Sequence, residues 1–225
     1  YDYFSETLRE RESFNQEVRL VSKDIGQPLR WVMGASYLSL EETNDRKDDG
    51  IYGDPTDPYG PYESLSLAKS DYQSDNISFF SNFDYELFSN FIFSLGLRAE
   101  EWSAKYADTN NERFNLSDYM LGGKASINYV MNDSNNIYLS YAKGYKQGGF
   151  NVGLGLLGQV DPSDLEYEPE HLKNLELGLN TEINNDIGLS LSLFHSLRED
   201  QQVLISTQVD PNDPNTFVYL TKNAA

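Results

Sequence analysis

The run "GYKQGGFN", residues 144–151, gathers the side chains with the most scope for binding chemistry. Lys146 can attract an anion, Phe150 can stack, and Gln147 and Asn151 can each donate and accept hydrogen bonds. These four are the candidate ligand-binding residues. The same run is too rich in glycine for a helix interior and too aromatic for a plain linker. It reads equally well as a strand end that must bend. No Ser/His/Asp set surrounds a nucleophile motif, so no catalytic residue is assigned and no enzyme is expected.

Other runs mimic known chemistry and fail on context. "GLGLLG" (153–158) spells a dinucleotide fingerprint, but "QVDPSD" follows and Pro162 stops the helix such a site needs. "DRKDDGIYGDPT", from Asp45, resembles a calcium loop. Lys47 occupies a ligand position, however, and Thr56 stands where a bidentate Glu belongs, so a solvated acidic loop is the expectation. His195 continues the Leu189, Leu191, Leu193 face in the manner of an interfacial aromatic, and His171 opens a strand. With no cysteine in the chain, thiolate metal sites and disulfides are excluded. No metal site and no cofactor are expected.

The elements that position these residues follow from composition and period. The 225 residues carry a formal net charge of −19 and 13% aromatics, with a mean hydropathy of −0.58. So many aromatics argue against disorder, and the acidic balance without a Lys/Arg run argues against nucleic acid. Period-two alternation dominates. Ile77, Phe79, Phe83 and Tyr85 form one apolar face, and Phe91, Phe93, Leu95, Leu97 and Ala99 the next. Tyr119, Leu121, Ala125, Ile127 and Tyr129 continue it, followed by Ile137, Leu139 and Tyr141. Leu175, Leu177 and Leu179, then Leu189, Leu191 and Leu193, complete the set. Two weaker strands, 14–22 and 30–42, precede these.

Short connections are expected near 23–29, 86–90, 131–136 and 183–187, and long polar ones near 43–71, 103–117 and 146–170. That asymmetry is the plan of an up-and-down barrel with unlike ends. From Asp118 to Val130 the pattern holds for roughly a dozen residues, and a tilted membrane-spanning strand needs about 9–11. The apolar faces carry no charge, while Arg98, Glu100, Lys124 and Glu176 fall on the opposite face, where they would line a polar lumen. Trp31, Tyr85, Trp102, Tyr119, Tyr129, Tyr141 and Tyr145 gather near strand ends as interfacial girdles do. Parity counted from Ile137 points Tyr145 outward and Lys146, Gly148 and Phe150 inward. The fold class is thus all-β: an antiparallel up-and-down transmembrane β-barrel, in part. No run of about 18 apolar residues suggests a spanning helix. A soluble lipocalin-like barrel is the alternative, but it would carry a very polar exterior on unusually long strands.

"NNIYLSYAKGYKQGGFN" resembles a stretch of the TonB-dependent outer-membrane receptors, written YLSYSxGYKxGGFN. Further runs resemble that family in the same order: "FNQEVRLVS", "WVMGASYLSLE", "LGLRAEEW", "LEYEPEHLKNLELGLNTEI", "LFHSLREDQQV" and "KNAA". The likeness spans nearly the whole chain. Departures are local: Leu175 and His195 stand where aromatics are usual, and Glu168 precedes the Pro.

The resemblance implies a plug domain inside a barrel of about 22 strands, of which residues 1–225 would supply about eight or nine. The plug, its TonB-contacting box and the C-terminal strands would lie outside this sequence, which therefore reads as a fragment. The implied activity is TonB-energised uptake of a scarce ligand, most often a ferric siderophore, across a Gram-negative outer membrane. The implied partners are TonB through the plug, outer-membrane lipid and lipopolysaccharide. A passive porin and a soluble β-rich binding module are the rival readings.

Overall fold

A computed structural model describes residues 2–23, 26–52, 62–88, 90–152, 160–184, 186–210, 212 and 216–224. The "GLGLLG" run and Thr56 lie outside them. Twelve strands order the described residues: β1 (Asp2–Val21), β2 (Leu29–Tyr52), β3 (Tyr62–Phe88), β4 (Phe91–Asp108), β5 (Arg113–Asn132), β6 (Asn135–Lys146), β7 (Gly149–Phe150), β8 (Glu166–Tyr167), β9 (Glu170–Asn184), β10 (Ile187–Glu199), β11 (Gln201–Gln208) and β12 (Phe217–Ala224). A single 3₁₀ turn, Pro162–Asp164, precedes β8, and Asp161 caps it by accepting from the Ser163 amide. No described helix is long and apolar enough to cross a membrane, a test that says nothing of strands.

Eight strands make one antiparallel meander in the order β1-β2-β3-β4-β5-β6-β9-β10. Two ribbons, β11-β12 and β7-β8, stand apart from it. The sheet is open: among the described residues, β1 and β10 each have one edge without a ladder partner.

Register makes the alternation a surface. Ala35 pairs Phe79, Phe79 pairs Ala99 and Ala99 pairs Leu121. Phe93 pairs Ile127, Ile127 pairs Leu139, Leu139 pairs Leu177 and Leu177 pairs Leu193. A one-residue slip anywhere would throw an apolar set onto the polar face, which is why this register is strongly specified. Among the described residues nothing covers the resulting apolar face: Phe79 is 63% exposed, Leu121 60% and Leu193 73%. An apolar expanse of that extent is not compatible with water on an isolated monomer.

The opposite face carries the small core. Trp102, Ala104 and Met120 are buried there, with Tyr72, Leu116, Tyr145 and Phe150 packed against them. Trp102, expected among the interfacial aromatics, is therefore a core residue; it sits at an even position of β4, and its indole N–H donates to Ser74 Oγ at 2.8 Å. This face also repeats one device. A large side chain lies across the glycine of the neighbouring strand: Phe80 over Gly34, Tyr145 over Gly122 and Tyr138 over Gly178. In each case a Cβ on the glycine would collide with the ring.

The strands run well past their apolar portions. The connections expected near 43–71 and 103–117 are mostly ladder: β2 and β3 stay paired to Tyr52↔Tyr62, and β4 and β5 to Ala107↔Arg113. The acidic run from Asp45 is thus extended strand as far as Tyr52, held by ion pairs such as Lys69–Asp45 (2.6 Å) and Arg46–Asp48 (2.8 Å). Beyond the apolar band neither face needs apolar residues, so the hydrophobic period fades while backbone pairing continues. β3, at 27 residues, extends roughly 90 Å, about three times a bilayer's hydrocarbon thickness.

Candidate functional site: a cleft on the polar face

The "GYKQGGFN" run leaves the sheet beside β4. The β5–β6 ladder ends at Gly123↔Lys143, while β6 keeps pairing with β9 to Lys146↔Glu170. Once β6 is released from β5, two odd-numbered side chains depart from the parity set at Ile137. Tyr145 turns onto the polar face, against expectation, and its hydroxyl donates to Glu100 Oε2 at 3.2 Å. Gln147 also turns in, its Nε2 donating to Glu100 Oε1 at 2.9 Å. Lys146 lines the cleft on the polar face, as parity expects, and is exposed at its rim.

Glu100 is the hub. It is 7% exposed and collects Asn76 Nδ2 (2.7 Å), Arg98 Nε (2.8 Å), Arg98 Nη2 (2.6 Å), Gln147 and Tyr145. A buried carboxylate is tolerated only when its lone pairs are filled in this way. The other charges assigned to this face share it by register. Glu176 accepts from Tyr138 Oη at 2.7 Å, and Lys124 stands exposed beside Arg98, Phe80 and Asn82.

Past Lys146 the chain doubles back on residues 166–169, and two glycines permit the approach. A Cβ at Gly148 would lie 2.5 Å from the Tyr167 carbonyl oxygen, and one at Gly149 would strike the Tyr167 ring. Phe150 points to the polar face as parity requires. Its ring lies 5.4 Å from that of Phe114 and packs on the Trp102 cluster.

Asn151, expected at the ligand, is instead consumed by the fold. It is 7% exposed. Its Nδ2 donates to the carbonyls of Asp164 (2.6 Å) and Thr221 (2.7 Å), and its Oδ1 accepts from the Thr221 amide (2.7 Å). Asn223 returns the favour: it donates to the carbonyls of Glu168 (2.9 Å) and Asp200 (2.8 Å) and accepts from the Glu168 amide (2.8 Å). Gln202 adds bonds to the carbonyls of Gln147 (2.7 Å) and Glu168 (3.1 Å). Three amides thus stitch residues 147–151 and 164–168 to β11 and β12. Asp200, in a left-handed conformation (φ 54°), lets β11 swing from β10 into this position.

Together these elements enclose a cleft of about 620 Å³ whose aromatic walls include Tyr72, Trp102, Tyr145, Phe150 and Tyr167. Lys146 stands at its edge and the Glu100 cluster at its floor. Burial pushes the Tyr167 hydroxyl above its ordinary range. Further out on β4, burial and then the field of Asp108 push Tyr106 up to about 12. Tyr72, Tyr167, Gln202 and Thr221 were not singled out by sequence reasoning. Gln202 and Asn223 do fall within the "DQQV" and "KNAA" runs, so their motif membership was the available signal. His171 and His195 stay apart from the cleft, and no cluster of three or more His, Asp or Glu suited to a metal occurs among the described residues.

An antiparallel meander with one bare apolar face and one polar face bearing an aromatic cleft is a section of a transmembrane-type β-barrel wall. The sequence matches, over residues 1–225, the family described as TonB dependent receptor-like, beta-barrel, and the chain belongs to that family. The structure is similar to the crystal structure of the ferric yersiniabactin uptake receptor FyuA from Yersinia pestis, with a TM-score of 0.68 at 20% identity over 89% of this chain and 30% of that one. It is also similar to the copper transporter OprC, with a TM-score of 0.67 at 13% identity over 96% of this chain and 34% of that one. The ferric citrate transporter FecA in its unliganded form gives 0.59 at 17% identity over 95% and 30% of the two chains. The chain therefore spans about a third of the length of these structures.

Proposed function

We propose that residues 1–225 form part of the wall of an outer-membrane receptor that takes up a scarce ligand, a ferric siderophore foremost, with energy supplied through TonB. The observation carrying this reading is the two-sidedness of the sheet. Its apolar face is continuous in register across eight strands and suits hydrocarbon. Its polar face holds the buried Glu100 network and the aromatic cleft, which suit a filled interior. A charge on the lipid side at mid-bilayer costs about 2–4 kcal/mol, and the apolar band carries none.

Membership of the TonB-dependent family supplies the energy source in this reading. The names of several similar structures supply the ligand class: FyuA, FecA and the siderophore receptor PiuA from Acinetobacter baumannii take up or receive iron complexes. OprC, named as a copper transporter, makes a metal without a siderophore the second ligand reading. Within the cleft, Lys146 and Phe150 are the side chains left to meet a ligand, since Asn151 and Gln147 are engaged with the protein.

The test is uptake by cells producing the full-length protein, with and without TonB, using radiolabelled ferric yersiniabactin, ferric citrate and copper(II) as probes. TonB-dependent accumulation of an iron chelate supports the reading. Accumulation that persists without TonB would instead indicate a passive channel.

A further inference from the structure

On the apolar face, directly above the hydrocarbon band, two lysines from distant parts of the chain meet. Lys143 of β6 and Lys173 of β9 are Cα partners in the ladder. Two residues below them on the same face, Tyr141 pairs Leu175; one strand further, Lys173 pairs Leu197. Like charges placed directly opposite across a sheet are destabilising unless something compensates. Among the described residues the compensation is one carboxylate. Glu199 accepts from Lys173 Nζ at 2.8 Å and 2.7 Å at its two oxygens, while Lys143 and His171 add their fields to the same group. The next arginine along, Arg198, is spent on Glu170 at 3.2 Å.

Two ammonium groups against one carboxylate leave a positive excess, in a chain whose net charge is −19. Elsewhere the upper rim of this face carries carboxylates: Tyr119 donates to Glu101 and Tyr37 to Asp75. The lysine pair is thus a local reversal of sign at the height where an apolar band gives way to headgroups. A ligand for it must be anionic and must lie beside hydrocarbon.

We infer that Lys143 and Lys173 form a binding site for the phosphate of an anionic lipid headgroup, its acyl chains resting on Tyr141, Leu175 and Leu197. The site goes beyond the uptake reading but rests on its lipid-facing assignment of this surface. Lysines hold phosphate as point charges on flexible stems, which suits a mobile headgroup better than a rigid bidentate clamp.

The test uses the full-length protein in neutral detergent micelles, with native mass spectrometry counting bound phosphatidylglycerol, phosphatidylcholine of the same acyl chains, and inorganic phosphate. Each lysine near an anionic headgroup accounts for a factor of about five in binding, so Lys143→Gln with Lys173→Gln should weaken phosphatidylglycerol retention about 30-fold. Phosphatidylcholine retention should not change. Lys47→Gln with Lys105→Gln, at positions of the same parity further from the band, should leave both lipids unaffected. Equal phosphatidylglycerol retention by the wild type and the Lys143/Lys173 variant overturns the site. Displacement of phosphatidylglycerol by inorganic phosphate at equal concentration overturns the lipid and leaves a free-anion site. Heat-modifiable gel mobility is read in parallel: its loss in the wild type would count against the membrane-barrel reading, whereas its presence confines any failure to the site.

Discussion

Replacing Asn151 with alanine should release the β11–β12 ribbon without unfolding the sheet. The side chain makes three hydrogen bonds of 2.6–2.7 Å, to the Asp164 and Thr221 carbonyls and from the Thr221 amide. Its removal leaves three backbone groups without partners at a position only 7% exposed. Each stranded group costs about 1–3 kcal/mol. Water entering from the cleft would recover part of that, so a net loss of about 3–5 kcal/mol is expected for this docking. One decade in an equilibrium is about 1.4 kcal/mol, so local opening should become roughly 10²–10⁴ times more frequent. Hydrogen exchange on the full-length protein in micelles reads this directly. Peptides covering 217–224 and 160–167 should exchange faster by that factor, while those covering 119–131 and 175–183 keep their rates. Asn151→Asp tests the mechanism: it retains the acceptor for Thr221 but places a carboxylate oxygen against two carbonyls, and should open almost as readily. Unchanged exchange at 217–224 in Asn151→Ala would refute the clamp and return this residue to the ligand.

Three further outcomes are expected. Gly148→Ala should undock the same segment from β8, because the new Cβ meets the Tyr167 backbone and not a movable side chain; hydrogen exchange in peptides covering 147–152 should accelerate, and unchanged exchange would show that the approach is not tight. Spectrophotometric titration should show one tyrosine ionising near pH 12 that vanishes in Tyr106→Phe. Its folded pKa lies above the unfolded value of about 10, so its stabilising contribution is complete below pH 10 and lost as pH rises through about 12. Single cysteines at Phe93, Leu95, Leu121, Ile127 and Leu191 should resist aqueous thiol reagents, while those at Ser94, Lys124, Asn128 and Ser190 should react once the interior is opened; the opposite pattern would reverse the two faces.

The strands and their faces could be read wherever burial imposes a period. From Ile77 to Tyr85 and from Phe91 to Ala99 the alternation names the face directly, and register confirms it residue by residue. Where no face is apolar, sequence signal and structure part company. Residues 43–51 look like a loop because Asp, Arg and Lys obey no hydrophobic period, yet they are laddered on both sides. Tyr145 was misplaced for a different reason: β6 loses β5 after Lys143 while still pairing with β9, and the ring turns toward the freed edge, which counting parity does not register. Trp102 was misplaced because residue type suggested an interface, although its even position in β4 already put it with Glu100. At the site, Phe150 was legible from parity, whereas the use of Asn151 depends on Thr221, a contact no local pattern encodes.

The rings laid over glycines have a consequence for the space they border. A phenol standing upright on a strand projects about 6–7 Å, whereas one lying along the sheet adds little more than its own thickness. Phe80, Tyr138 and Tyr145 thus tile the polar face at low relief, and each glycine beneath is a notch cut to receive its tile. Alanine at Gly178, where the nearest atoms all belong to the Tyr138 side chain, would tip that ring upright and narrow whatever bore this wall encloses, whereas at Gly34 the new Cβ would also meet the Val18 carbonyl oxygen at 2.7 Å and disturb the ladder. The relief of this face is set by the smallest side chains on it as much as by the largest.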